Sequence, residues 1–311
     1  MAKTQRSQGV VAALASAFFM GLTPIFGKQA FLYGFSPLAV VAVRSALATF
    51  LMLTTLAFRR QFFYIYPVGL VGCFIAGIIN GIGSIFYYTA LSRVDASVGH
   101  LLYSFYPLFV ALWLWLDRQR INRVTLIRLT IALPGVYLLI RTGHTPVDLG
   151  GALLMLLAGL FYALHMIINQ RILYEAPAPT VTFYTLLAMT LTVLLAFTLG
   201  GRQMPPLTFS WWPVLGMAGI TFISRLTLFL GVKNLGGLQT ALLGLSELLV
   251  TVALAQFWLG ERLSPAQWLG GFLICASLLL VALDPVTPEH YSRRGWLGWL
   301  NPSRISEIDL P

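Results

Sequence analysis

Long apolar stretches follow one another along most of the chain, and short polar segments or segments rich in Gly and Pro separate them. A helix that spans a bilayer needs about 20 mostly apolar residues. The stretches that meet this requirement are residues 9–27, 37–57, 67–91, 96–116, 123–141, 149–170, 179–199, 213–234, 238–258 and 265–283. The intervals between them are too short for a soluble domain. The pattern therefore predicts an all-α integral membrane protein with ten transmembrane helices.

The second half of the chain repeats the pattern of the first. Residues 151–171 align with residues 9–29 at an offset of 142, and Pro37 recurs at the same offset as Pro179. The identical pairs are Gly9 and Gly151, Leu14 and Leu156, Phe19 and Phe161, Leu22 and Leu164, and Ile25 and Ile167. Because a long internal repeat decides the architecture, the chain is expected to consist of two copies of one five-helix module.

The repeat divides the chain into four parts. We expect a cytoplasmic N-terminus at 1–8, a first repeat at 9–141, a second repeat at 149–283 and a cytoplasmic tail at 284–311. Five helices per repeat is an odd number, so the second repeat must enter the membrane from the opposite side. This inverted topology favours a site near the bilayer midplane between the repeats. The alternative is a duplicated scaffold without a transport pathway.

Composition and charge agree with a membrane protein. The chain has 311 residues, of which 58% are hydrophobic and only 10% are charged, whereas an ordinary globular chain has roughly 25% charged residues. The net charge of +10 comes from basic residues between the apolar stretches, which favours contact with lipid headgroups over nucleic acid. With the N-terminus inside, twelve of the 20 Lys and Arg residues lie on the inner side. Both termini are therefore predicted to be cytoplasmic, in an inner or plasma membrane.

Sequence motifs of enzymes and nucleotide-driven pumps are absent. The chain has no GxxxxGK[ST] phosphate loop, no HExxH, no CxxC pair and no GxSxG. We therefore expect no cofactor, no metal and no catalytic site.

Two ionisable residues are predicted at similar depth in one helical hairpin. Arg225 precedes the inner end of the eighth span by nine residues, and Glu247 follows the inner start of the ninth by nine, or about 13 Å. Because each would be costly alone in the membrane, we expect them to pair. The pair would either lock the hairpin or bind a proton or a cationic solute. Arg44, in the second span, would reach the outer surface, bind an anion such as a carboxylate or, as the interpretation we favour, serve helix packing.

Polar and aromatic residues on the third, fourth and sixth spans complete the candidate binding site. Hydroxyls and aromatic faces beside Pro107, a potential kink, suit a pocket for a small amphipathic solute, although each could instead serve helix packing. These residues are Asn80, Tyr87, Tyr88, His100, Tyr103, Tyr106 and His165. With Arg225 and Glu247 they form the predicted substrate-binding set, in a cavity lined by the first, third, fourth, sixth, eighth and ninth spans. The tail segment at Trp296–Leu300 is expected either to lie on the inner membrane surface or to be disordered.

Several short motifs resemble the drug/metabolite transporter superfamily, in its ten-helix EamA-type branch. The resemblance covers about residues 9–283. The residues that carry it are Gly21, Pro24 and Lys28, Arg44, Tyr88–Leu91 with Ala96-Ser97 and Pro107, Gly231–Lys233 with Gln239–Leu243, Glu247, and Leu259–Arg262. The resemblance implies a carrier with a central cavity between the two halves, often an exporter of amino acids, including aromatic ones, or of other metabolites.

The sequence thus favours a carrier that moves small organic metabolites by alternating access, as an exporter. An importer on the same fold and an integral-membrane enzyme are the alternatives. The expected partners are a small-molecule substrate and membrane lipids, and the sequence does not determine the oligomeric state.

Overall fold

The computed structural model describes residues 2–58, 64–117, 148–200, 210–244, 246–279 and 296–300, together with a few isolated positions between these ranges. Its helices are α1 (Ala2–Leu32), α2 (Pro37–Phe58), α3 (Pro67–Leu91), α4 (Ala96–Tyr103), α5 (Tyr106–Leu116), α6 (Leu149–Leu173), α7 (Ala178–Leu199), α8 (Trp212–Leu235), α9 (Gly237–Gly244), α10 (Ser246–Trp258) and α11 (Pro265–Leu279). No strand occurs in these ranges. Most of the predicted fifth span, 123–141, and most of the tail, 284–311, lie outside the described residues.

The helices are long and apolar enough to cross a membrane at eight of the ten predicted positions. The two others are the fifth span and α11, which is the described part of the tenth. The predicted all-α membrane class is confirmed for the described part of the chain. The first helix is longer than its predicted span of 9–27 and continues through Pro24.

The fourth predicted span divides into two helices, which corrects the prediction of a continuous helix there. α4 ends at Tyr103 and α5 begins at Tyr106, with Pro107 in its first turn. A proline fits at the start of a helix but not in its interior, because it has no N–H to donate. In the second half, α9, up to Gly244, and α10, from Ser246, flank residue 245, which lies outside the described residues.

Local signals set the helix ends. Prolines stand at the first position of α2, α3 and α11, where their fixed φ is compatible with a helix. Asp148 caps α6, because its carboxylate accepts hydrogen bonds from the N–H groups of Gly150 and Gly151, each at 3.1 Å. Gly236 has φ +87° in the turn between α8 and α9, a conformation that L side chains rarely adopt.

The helices of the two halves pack mainly against each other, in exchanged pairs. α1 packs on α8, and its counterpart α6 packs on α3, the counterpart of α8. The contact of α2 with α8 is matched by that of α7 with α3, and the contact of α1 with α10 by that of α6 with α5. α2 packs on its own counterpart, α7. Such an exchange is the pattern of a pseudo-two-fold axis between the halves.

Small residues allow α3 and α7 to approach closely. A Cβ added at Gly77 would lie 2.5 Å from the Cβ of Ala188 and 2.6 Å from the carbonyl oxygen of Thr185. Real Cβ atoms do not approach other atoms this closely, so the helix contact requires glycine here.

The described part of the tail packs against the ends of helices. Leu297 and Leu300 are buried, and the N–H of Leu297 donates to Oδ1 of Asp117 at 3.2 Å. The other carboxylate oxygen of Asp117 accepts from the buried guanidinium of Arg171. The ring of Trp296 lies against that of Trp113, with the centroids 6.1 Å apart. These contacts join the tail to the ends of α5 and α6.

Candidate functional site

A cavity of about 50 Å³ lies between the two halves, and side chains from α1, α2, α3, α4, α6 and α8 line it. Six of the nine predicted binding residues contribute to its wall. They are Asn80, Tyr87, Tyr88, His100, Tyr103 and Arg225. The cavity has room for a few water molecules, whereas pockets that hold a small organic molecule usually have about 300–1,000 Å³.

Arg225 joins α8 to α3 and α6 through hydrogen bonds. One terminal nitrogen donates to Oδ1 of Asn80 and the other lies beside Nε2 of His165, each at 3.2 Å. Nδ1 of His165 lies 2.5 Å from the carbonyl oxygen of Tyr162, so Nδ1 must carry the proton and Nε2 must accept from Arg225. His165 is therefore neutral in this arrangement. The guanidinium also lies over the ring of Tyr162, 5.4 Å from its centroid.

Arg44 approaches the same cavity from α2. One of its terminal nitrogens donates to the hydroxyl of Thr221 at 3.0 Å, and the guanidinium lies over the ring of Tyr88, 4.7 Å from its centroid. The Nε of Arg44 has no hydrogen-bond partner among the described residues, although the side chain is buried. Because Arg44 is buried and donates to Thr221, the alternative in which it reaches the outer surface is not the arrangement found.

Glu247 and His100 face each other across the halves. Oε1 of Glu247, at the start of α10, lies 3.6 Å from Nε2 of His100, in α4. Nδ1 of His100 lies 3.4 Å from the hydroxyl of Tyr87. The hydrogen bonds of Arg225 go to other residues, so the direct ion pair that sequence reasoning expected between Arg225 and Glu247 is not the arrangement found. The positions of the two residues along their helices predicted that they lie at similar depths, but did not predict the directions of their side chains.

Aromatic rings form a continuous cluster beside these polar groups. The ring centroid of Tyr103 lies 5.0 Å from that of Tyr87 and 5.4 Å from that of Tyr162. The ring of Tyr106 packs edge-on against that of Tyr162 at 5.0 Å. Rings at such separations attract one another and are held rigidly. The cluster thus offers aromatic faces to whatever occupies the cavity.

Three predicted binding residues stand behind the wall of the cavity. His165 supports Arg225, Glu247 lies behind His100, and Tyr106 packs behind Tyr103 and Tyr162. The ninth span was predicted to line the cavity but contributes no residue to its wall, and its Glu247 contacts His100, which does. The second span was not predicted to line the cavity but contributes Arg44.

Several polar residues of the wall were not among the predicted binding residues. They are Thr23, Arg44, Ser84, Tyr162, Thr221 and Ser224. The repeat carried a signal for Tyr162, because it aligns with Met20 at the offset of 142, and the Tyr162 hydroxyl donates to the sulfur of Met20 at 3.5 Å. Tyr162 also precedes His165 by three residues, on the same helix face.

Equivalent residues of the two halves make reciprocal contacts within the fourth and ninth spans. The Tyr106 hydroxyl donates to the carbonyl oxygen of Ala241 at 3.1 Å, and Glu247 faces His100. At an offset of 141, Tyr106 aligns with Glu247 and His100 aligns with Ala241. α5 therefore contacts α9 of the other half, and α10 contacts α4. A two-fold axis between the halves produces such reciprocal contacts.

The described residues contain no group of three or more His, Cys, Asp or Glu side chains that could hold a metal ion. The polar groups around the cavity are hydrogen-bond donors and acceptors suited to binding a solute.

Comparisons with known proteins agree with this architecture. The model of the EamA-like transporter family matches residues 7–141 and again residues 149–283. An uncharacterized transporter of Archaeoglobus fulgidus is 26% identical over 195 residues, which cover 62% of this chain and 70% of that protein. The uncharacterized transporter YwfM of Bacillus subtilis is also 26% identical, over 288 residues that cover 88% of this chain and 93% of that protein.

A third relative and a solved structure extend the comparison. An uncharacterized transporter of Synechocystis is 24% identical over 230 residues, which cover 70% of this chain and 68% of that protein. One crystal structure superimposes with a TM-score of 0.64 and is 17% identical in sequence. The match covers 89% of this chain and 97% of the chain in that crystal structure, so the two share a fold. Two matches of one family model that together span most of the chain, on an all-helical membrane fold, establish that this protein is a member of the EamA-like transporter family.

Proposed function

We propose that this transporter carries small organic solutes through the central cavity by alternating access, in which the two halves rock against each other. The observation that carries the proposal is the pair of reciprocal contacts, Tyr106 with Ala241 and Glu247 with His100. Halves related in this way can open to either side of the membrane by nearly equivalent motions.

The size of the cavity supports a conformational change. A volume of about 50 Å³ is too small for an amino acid or a similar metabolite, so the walls must separate before a solute enters. The break between α4 and α5 supplies a place where half-helices can move. Because the helix-to-helix contacts run mainly between the halves, separating the halves enlarges the cavity.

The orientation and direction belong to the same proposal. Both termini lie in the cytoplasm of a cell whose inner or plasma membrane holds the protein, on the basis of the distribution of Lys and Arg. The proposed direction is export, on the basis of the family resemblance. A C-terminal green fluorescent protein fusion tests the orientation, because it fluoresces only if the tail is cytoplasmic.

Counterflow in liposomes tests the carrier function. Purified protein is reconstituted into vesicles preloaded with an unlabelled solute, and transient accumulation of the same labelled solute is measured for a panel of amino acids, nucleosides and amines. A carrier gives accumulation above protein-free vesicles, without chemical change of the solute. Replacement of Arg225 by Gln should abolish it, whereas replacement of the exposed Arg93 by Gln should not. A modified product would favour an enzyme, and a lack of counterflow for the whole panel would contradict the proposal.

A further inference from the structure

Two buried arginines, one from each half, face the central cavity. Arg44 comes from α2 and Arg225 from α8, and both line the cavity wall. The exposed fractions of the two residues are only 5% and 8%. Neither guanidinium can therefore rely on bulk water for its solvation.

The partners of both arginines are neutral. Arg44 contacts the Thr221 hydroxyl and the Tyr88 ring, and Arg225 contacts the Asn80 amide, His165 and the Tyr162 ring. Among the described residues, no carboxylate lies within 4.0 Å of either guanidinium. The nearby carboxylate of Glu247 faces His100 instead.

The wall is therefore positively charged where it surrounds the cavity. A cation buried in the membrane interior is costly unless it is paired, and functional cations there usually face a solute pathway. One donor is also unused, since the buried Nε of Arg44 has no hydrogen-bond partner among the described residues. A guanidinium with a free Nε–H is suited to a carboxylate, which it can bind through two parallel hydrogen bonds.

We propose that Arg44 and Arg225 form an anion-binding subsite, so that the transported solute is an organic carboxylate. Its apolar part would lie against the aromatic cluster of Tyr87, Tyr103 and Tyr162, whose rings lie beside the two arginines. This inference rests on the proposed carrier function, because it names the class of solute that the same cavity accepts. The carboxylate would supply a counter-charge in direct contact with the guanidinium groups, which no described side chain does within 4.0 Å.

Equilibrium binding to the purified protein in detergent tests the subsite. Four probes share a phenyl ring and a short chain but differ in charge: 3-phenylpropionate, phenylalanine, 3-phenylpropionamide and phenethylamine. We expect the two carboxylates to bind at least about tenfold more tightly than the amide and the amine. Equal binding of 3-phenylpropionate and its amide would overturn the proposal, and this comparison needs no variant.

Variants then assign the effect to the cavity. Replacement of Arg44 by Gln should weaken carboxylate binding at least about tenfold and leave binding of the amide unchanged, and Lys at this position should restore part of the affinity. Replacement of the exposed Arg93 by Gln also removes one positive charge, but outside the cavity wall. It should change neither the affinity for the carboxylates nor the affinity for the amide. An unchanged affinity of the Arg44→Gln variant for 3-phenylpropionate would contradict the assignment.

The two proposals fail differently. Counterflow of phenethylamine without counterflow of the carboxylates would support the carrier and reject the anion subsite. Carboxylate binding that depends on Arg44, without counterflow of any probe, would support the subsite and reject the carrier.

Discussion

The carboxylate of Glu247 lies 3.6 Å from the imidazole of His100, and neither of the two facing atoms has a hydrogen-bond partner among the described residues. The two side chains are buried and belong to opposite halves of the molecule. Such a pair is stable when it shares one proton, either as a neutral acid beside a neutral imidazole or as an ion pair. It also lies next to the cavity, because His100 lines the cavity wall.

The first prediction is that this pair makes transport depend on pH. A glutamine at position 247 cannot take up a proton, so the Glu247→Gln variant should lose the pH dependence of counterflow between about pH 5 and 8. Replacement of the exposed Glu175 by Gln is the matched control and should leave the profile unchanged. A Glu247→Gln profile that follows the wild type would reject a proton role for this pair.

The second prediction concerns the contact of α3 with α7. Ala at Gly77 would force a Cβ to within 2.6 Å of the Thr185 carbonyl, so the helices would have to move apart. We expect a loss of stability of about 1–3 kcal/mol, measured as a lower midpoint of thermal unfolding in detergent. Gly219 is a control in another helix, because a Cβ there meets nothing within 4 Å. Equal midpoints for the two Ala variants would show that the α3–α7 contact is not as tight as the geometry indicates.

The third prediction concerns a helix cap that the second half supplies to the first. Both carboxylate oxygens of Glu261 accept hydrogen bonds at the start of α4, from the N–H groups of Ala96 at 2.7 Å and Ser97 at 2.8 Å. Replacement of Glu261 by Ala leaves these groups without acceptors and should cost about 0.5–2 kcal/mol. The same replacement at the exposed Glu175 should cost less. The comparison is made on the midpoints of thermal unfolding of the two variants in detergent. A Glu261→Ala midpoint equal to that of the wild type would show that Glu261 does not stabilise α4.

The fourth prediction compares a buried ion pair with an exposed one. Replacement of Asp117 by Asn removes the negative charge from its buried ion pair with Arg171 and should destabilise the protein by about 3–5 kcal/mol. Replacement of Asp148 by Asn breaks its ion pair with Arg93, in which both side chains are about half exposed, and should cost at most about 1 kcal/mol. The unfolding midpoints of both variants in detergent measure the difference. A smaller effect at Asp117 than at Asp148 would show that burial does not control the strength of these pairs.

Sequence reasoning recovered the helices more completely than the site. Apolar stretches of spanning length located the described helices because a membrane requires them, whatever their neighbours are. The break between α4 and α5 could be anticipated from Pro107, because a proline fits at the start of a helix but not in its interior.

The partners of the charged residues were beyond prediction. Helical spacing places Arg225 and Glu247 at similar depths, but the direction of each side chain depends on how α8 and α10 rotate against α6 and α4. The structure pairs Arg225 with His165 and Asn80, and Glu247 with His100. Similarly, Arg44 reaches Thr221, a partner 177 residues away in the chain.

The sequence alone determined that the protein lies in a membrane, that it is helical and that its second half repeats its first, because hydrophobic length and internal periodicity are local properties of the chain. Only the tertiary structure decided that Arg44 and Arg225 meet at one cavity without a carboxylate partner among the described residues. It also decided that Tyr106 and Glu247 reach across to the opposite half. These relationships depend on how the helices of the two halves are rotated and brought together, and no local pattern specifies that packing.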